Sequence, residues 1–252
     1  MLDELVKSID IFIEELNSVT SSDIELAEEK LSRVIDRILL LAKKISPEEF
    51  ERCDNVKYTP YCYTDPQEKL INDSVERYKN YLVVLKEELL AHPNIILGIN
   101  PPSEEAIYKK SASKKVFIVH GHDELNLLRL DNYLLRRHSL KSTILNQEAG
   151  HSRTIIEKLE KHTEKIDYAV ILMTNDDHIQ KEGVEYVQAR PNVLIELGRL
   201  QATIGRDKIC ILLKKGCSLP SDLSGIQYHS FKETVRELFT DLDDELRDAD
   251  II

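Results

Sequence analysis

The 252 residues, 42% hydrophobic and 31% charged, are enough for one large domain or two of ordinary size. A formal charge of -11, from 34 Lys and Arg against 45 Asp and Glu, argues against general nucleic-acid binding, which needs clustered basic side chains. No apolar run approaches the roughly 18 residues of a spanning helix, and the acidic, amphipathic start MLDELVKSIDIFIEEL is unlike a secretory signal, so a cytoplasmic protein without a membrane partner is expected.

Residues 1–95 read as an all-α bundle, with 96–113 as a linker. Leu2, Leu5, Val6, Ile9, Phe12, Ile13 and Leu16 recur at three- and four-residue intervals and share one helix face. Ser22 followed by Glu25 has the spacing of a capping box, opening a helix that carries Ala27, Leu31, Val34, Ile38, Ala42 and Ile45. Ser46-Pro47-Glu48-Glu49 repeats the start signal, with proline where its missing N–H costs nothing. Asp54 to Thr64, with Tyr58, Tyr61 and Tyr63, fits neither period and reads as a loop. Asp65-Pro66 opens another helix, carrying Ile71, Val75, Tyr78, Leu82, Leu85 and Leu89, and His92-Pro93 closes it. Such stripes either pack on each other or present a partner surface.

Beyond the Pro101-Pro102 pair the texture changes, and seven of the eight glycines follow residue 115. Lys115–His120 reads as a strand, Asp123–His138 as a helix, Ser142–Asn146 as a strand and Thr154–His162 as a helix. Asp167–Thr174 is a continuous apolar run, as a central parallel strand covered on both faces would be. Pro191–Ile204 reads as a helix stopped by Gly205, Lys208–Leu213 as a strand and Phe231–Arg247 as a terminal helix. This alternation predicts an open α/β sheet over 114–252, with its ligand at the carboxyl ends of the strands.

The residues following those strands are therefore the candidates. His120-Gly121-His122-Asp123 places glycine at a tight turn; two histidines without a further His or Cys nearby make a poor metal site. The four cysteines, Cys53, Cys62, Cys210 and Cys217, lack CxxC spacing and read as reduced structural thiols, so no metal is expected. Gly150-His-Ser152-Arg153 before a helix suits an anion, and equally suits an ordinary helix cap. Thr174-Asn175-Asp176-Asp177 offers groups for ribose hydroxyls or merely turns the chain. Glu196 sits among Val193, Leu194, Ile195 and Leu197, where a carboxylate is paired, partly exposed or tuned for chemistry. Asn192 lies four residues earlier on the same face. Gly198, costly in a helix, suggests close approach of another group, and an i,i+3 pair to Arg199 is the plainer use of Glu196.

The ordered set VFIVHGHD, GHSRTIIEKLE, LMTNDD, ARPNVLIELG and LPSDLSGIQY resembles the bacterial TIR-like family of nucleotide-binding proteins, including the TIR parts of STING-linked and cyclic-nucleotide-triggered antiphage effectors. The resemblance covers the α/β part and none of the helical part. It implies a flavodoxin-like fold and cleavage of NAD to nicotinamide and ADP-ribose or a cyclic isomer, with NAD as substrate and no cofactor. Glu196 falls on the family's catalytic glutamate. Phe117 and His120 fall beneath the nicotinamide or its ribose, Ser152 and Arg153 in a gating loop placed to meet the pyrophosphate, and Gly121, Thr174, Asp176 and Asn192 are further substrate-binding candidates. A homo-oligomer is implied, with a nucleotide signal or separate sensor as trigger. The STING-linked members carry their sensor after the TIR domain, so here a sensor is expected in the helical part or in another protein. A silent TIR scaffold is the rival reading, and a deoxyribosyltransferase-like activity a remoter one.

Overall fold

The computed structural model describes residues 2–19, 23–56, 66–97, 114–144, 166–181, 184–220, 223 and 225–252. They fall into two compact units, one helical and one α/β.

The helical unit contains α1 (Leu2–Asn17), α2 (Ile24–Ile45), α3 (Pro47–Val56), α4 (Gln67–Ala91) and the single turn α5 (Pro93–Ile96). Ile9, Phe12 and Leu16 of α1, Leu31, Val34 and Ile38 of α2, and Tyr78, Leu82 and Leu89 of α4 form one buried cluster, so the stripes pack on each other. Ion pairs of 2.6 Å from Arg37 to Glu15 and 2.5 Å from Lys86 to Asp10 border it. Ile11, Leu40 and Leu90 remain largely exposed on α1, α2 and α4.

Two local readings change. The cap of α2 is Asp23, whose side chain accepts from the Leu26 N–H at 3.2 Å, one residue later than the expected Ser22 box; Ser22 lies outside the described residues. Helix α3 runs on through Val56, so residues 54–56 are helical, while Tyr58, Tyr61, Tyr63 and Cys62 lie outside the described set. Ser46 does open α3, accepting from the Glu49 N–H at 3.1 Å. Its own N–H already bonds Ala42, so the Glu49 carboxylate turns inward instead of closing the box. There it meets Tyr81 Oη and Arg52 Nη1 at 3.3 and 3.2 Å, 1% exposed.

The α/β unit is built on β1 (Val116–His120), β2 (Ser142–Ile144), β3 (Tyr168–Met173), β6 (Ile209–Lys214) and β8 (His229–Phe231), all parallel, in the order β2-β1-β3-β6-β8. A second sheet joins β4 (Asp177–Lys181), β5 (Val184–Gln188) and β7 (Cys217–Ser218). Helix α6 (Glu124–His138) and α8 (Phe239–Asp248) cover one face of the main sheet, and α7 (Pro191–Ile204) covers the other. Strand alternation divides the core accordingly: Val116, Ile118, Val170 and Leu172 face α6 and α8, whereas Phe117, Val119, Ala169 and Ile171 face α7.

The expected single terminal helix from Phe231 is corrected. Phe231 ends β8, fully buried, and its carbonyl accepts from Lys215 N–H at 2.7 Å. Thr234 and Glu237 then form a reciprocal capping box that starts a 3-10 turn leading into α8. Three backbone N–H groups, those of Thr234, Lys232 and Glu233, hold the Glu237 carboxyl below its ordinary range. Among the described residues no helix is long and apolar enough to cross a membrane.

Candidate functional site

The winding of the main sheet reverses between β1 and β3. In sheets of this order the loops leaving two such strands diverge and open a crevice at their carboxyl ends. The walls here are His120–Asp123 after β1, Thr174–Asp176 after β3, and Arg190 at the start of α7.

His120 is buried, its Nδ1–H donating to the Gly121 carbonyl at 2.8 Å. Burial holds its imidazole below the ordinary value, against the opposing bond to Gly121, so the neutral ring prevails at neutral pH. His122 is exposed, and its Nε2 accepts from Arg190 Nη1 at 2.9 Å. The two histidines are thus engaged elsewhere, and no described group of three or more His, Cys, Asp or Glu is arranged to hold a metal.

Gly121 is needed for a reason the sequence did not give. Its φ is not positive; instead a Cβ there would lie 1.7 Å from Asp176 Oδ2. Asp176 Oδ1 accepts from the His122 N–H at 3.0 Å and from Thr174 Oγ1–H at 2.8 Å, and Oδ2 accepts from the Arg190 N–H at 3.5 Å. Thr174 is buried, and its carbonyl accepts from Cys217 Sγ–H at 3.3 Å. Burial pushes the Cys217 thiol up to about 11, so it is no nucleophile at neutral pH.

Phe117 is 1% exposed in the core beside Val193 and Leu197 of α7, not on the crevice surface. Asn192 is exposed in the first turn of α7. Glu196, one helical turn further on, is 5% exposed, and among the described residues its Oε2 has no hydrogen-bond partner. Burial raises its carboxyl to about 7, outweighing the opposing charge of Arg199. A carboxylate held by a surface pair would sit at or below its ordinary value, so the Arg199 reading does not describe this residue. Gly198 reverses an expectation: nothing described lies within 4 Å of a Cβ built there. Ser152 and Arg153 lie outside the described residues.

The structure thus gathers His120, Gly121, Thr174 and Asp176 at the carboxyl ends of β1 and β3, beside the start of the helix that carries Glu196. The contact between Arg190 and His122 carries no signal in the sequence, although both residues lie within the segments singled out.

Residues 115–233 match the family model described as CAP12/Pycsar effector protein, TIR domain. This segment is a TIR domain of the CAP12/Pycsar effector family. The chain is 32% identical over 198 residues to the uncharacterized protein YuaY of Escherichia coli K12, covering 77% of this chain and 62% of that one. That span exceeds residues 114–252 and so reaches into the helical unit. It is 28% identical over 127 residues to CD-NTase-associated protein 12 of Niabella drilacis, covering 48% and 40%. It is 24% identical over 115 residues to the Pycsar effector protein BcPycTIR of Burkholderia cepacia, covering 44% and 38%. The chain spans less than two thirds of the length of each of these relatives.

Proposed function

We propose that the TIR domain cleaves NAD at the bond between nicotinamide and ribose, releasing nicotinamide and ADP-ribose or a cyclic isomer. The observation that carries this reading is Glu196: a buried carboxyl in the ARPNVLIELG helix, with a pKa near 7 and an oxygen that has no partner among the described residues. A buried acceptor without a partner costs free energy, and such groups concentrate where a ligand supplies the missing donor.

In the proposed reaction the C1′–N bond breaks and its electron pair leaves with nicotinamide, which departs neutral. The ribose C1′ becomes oxocarbenium-like, and the Glu196 carboxylate stabilises that charge and accepts from ribose hydroxyls. Water attacks C1′ and loses a proton, giving ADP-ribose; attack by a group of the ADP-ribose itself gives the cyclic product. Asn192, one turn ahead on α7, and Arg190 at its start offer a hydrogen-bonding amide and a cation to the rest of the dinucleotide. Ser152 and Arg153 keep the gating and pyrophosphate role that the family resemblance implies.

The names of the family and of the relatives support a place in antiphage defence with a nucleotide signal as trigger; self-association as the means of activation is part of the same proposal. The test is nicotinamide release by concentrated protein, with Glu196→Gln beside the parent. Loss of the charge is expected to slow release by about 100-fold or more. A Glu196→Gln protein that melts normally and releases nicotinamide at the parental rate refutes the assignment. A parent that assembles but leaves NAD intact supports the scaffold reading instead.

A further inference from the structure

We propose that Asp176 is a positioning residue: its carboxylate clasps the three loops of the crevice into one rim and sets the start of the helix that carries Glu196. The catalytic consequence rests on the NAD-cleavage reading; the clasp itself does not.

A carboxylate has about four acceptor sites. Asp176 spends them on donors from all three walls: the His122 N–H after β1, the Thr174 hydroxyl after β3, and the Arg190 N–H at the cap of α7. Its own N–H bonds the Gln188 carbonyl at 3.2 Å, so the backbone also ties β3 to the end of β5. Gly121 completes the arrangement, since a side chain there would occupy the position of Oδ2. The acidic group therefore faces inward among loop donors, and little of it is left for a ribose hydroxyl. Above it the Arg190 guanidinium meets His122 Nε2, a second brace between the same two walls. Residues distant in sequence are held by one side chain, and α7 begins at the residue that this side chain fixes.

The experiment compares Asp176→Ala, Asp176→Asn, Gly121→Ala and the double variant Gly121→Ala/Asp176→Ala in the full chain. Hydrogen exchange resolved to short peptides, thermal melting and nicotinamide-release kinetics are the readouts. Losing a bond to a charged acceptor is expected to speed exchange roughly tenfold in the peptides holding His122 and Arg190 together, while the middle of α6 is unchanged. kcat falls and KM moves by less than about threefold, as for a group that shapes the site without touching the ligand. Gly121→Ala reproduces the exchange pattern, and the double variant melts no lower than the worse single one, because the collision is gone. Asp176→Asn, whose oxygen can still accept from His122 and Thr174 but whose amide nitrogen cannot accept from Arg190, recovers protection at His122 and not at Arg190, and it carries the comparison if the alanine variant does not fold.

Unchanged exchange at Arg190, additive melting losses in the double variant, or a raised KM with an intact kcat would each overturn the proposal. If the parent releases no nicotinamide, the functional reading fails while exchange and the double-variant cycle still decide the clasp.

Discussion

Lys214 Nζ lies 2.9 Å from Asp123 Oδ2, joining the end of β6 to the cap of α6 across 91 residues of sequence. Asp123 also accepts from the backbone and side-chain N–H groups of Asn126 at 3.1 and 2.8 Å. Burial alone would raise this carboxyl, but the bonds from Asn126 and Lys214 outweigh it and bring it below its ordinary value. Its contribution is therefore present above the unfolded carboxylate pKa and is lost as pH falls through the folded one. Asp123→Asn is expected to lower stability by about 1–2 kcal/mol at pH 7. In urea titrations the deficit should narrow towards pH 3; a deficit that does not vary with pH would mean that the charge is irrelevant.

Asn126 extends the same chain inward. It is 3% exposed, and its Oδ1 accepts from the Val235 N–H at 3.0 Å. Asn126→Leu fills similar space but strands that buried N–H, at a cost of about 1–3 kcal/mol. Equilibrium unfolding measures the loss, and faster exchange at Val235 locates it; parental stability would show that the leucine variant finds another partner for the amide.

Glu196 should leave two traces of its environment. Its folded pKa, about 7, lies above the unfolded value of 4.5, so the folded state holds the extra proton between them. Stability then falls as pH rises from the unfolded pKa to the folded one, and is flat above it. Glu196→Gln is expected to be more stable than the parent at pH 8 by on the order of 1–3 kcal/mol, with the gain gone near pH 4. In the parent, kcat/KM for nicotinamide release should climb through about pH 7 as the carboxyl ionises. Equal melting of the two proteins across this range would contradict the desolvated carboxyl.

The helical unit is expected to control assembly, since it leaves Ile11, Leu40 and Leu90 exposed on three helices. A chain beginning near Ser111 keeps the strands and covering helices of the TIR domain and should fold. It should be less oligomeric by light scattering and slower on NAD at equal concentration. Equal assembly and turnover would give the helices another task.

The sequence announced what periodicity and burial together encode. The stripes of α1, α2 and α4 and the apolar runs of β1 and β3 each repeat a pattern long enough to read. Cys217–Ser218 and His229–Phe231 are too short to show a period, and Phe231, adjoining a helical run, was absorbed into it. Strands β4 and β5, DHIQK and VEYVQ, are five residues each and mostly polar or half-buried, too little apolar alternation to read as strands. At the site, Glu196 stood out as a carboxylate among apolar neighbours. The role of Gly121 did not, because it depends on a carboxylate 55 positions away, and Gly198, marked for close approach, faces open space.

The parallel order of the main sheet has a consequence for synthesis. Strand β6, with its apolar run ICILLK, is flanked on one side by β3 and on the other only by the three residues of β8. Until His229–Phe231 has left the ribosome, β6 is an open edge whose N–H and C=O groups invite pairing with other chains. Chains truncated between residues 214 and 229 lack that cover, and they are expected to aggregate more than the full chain.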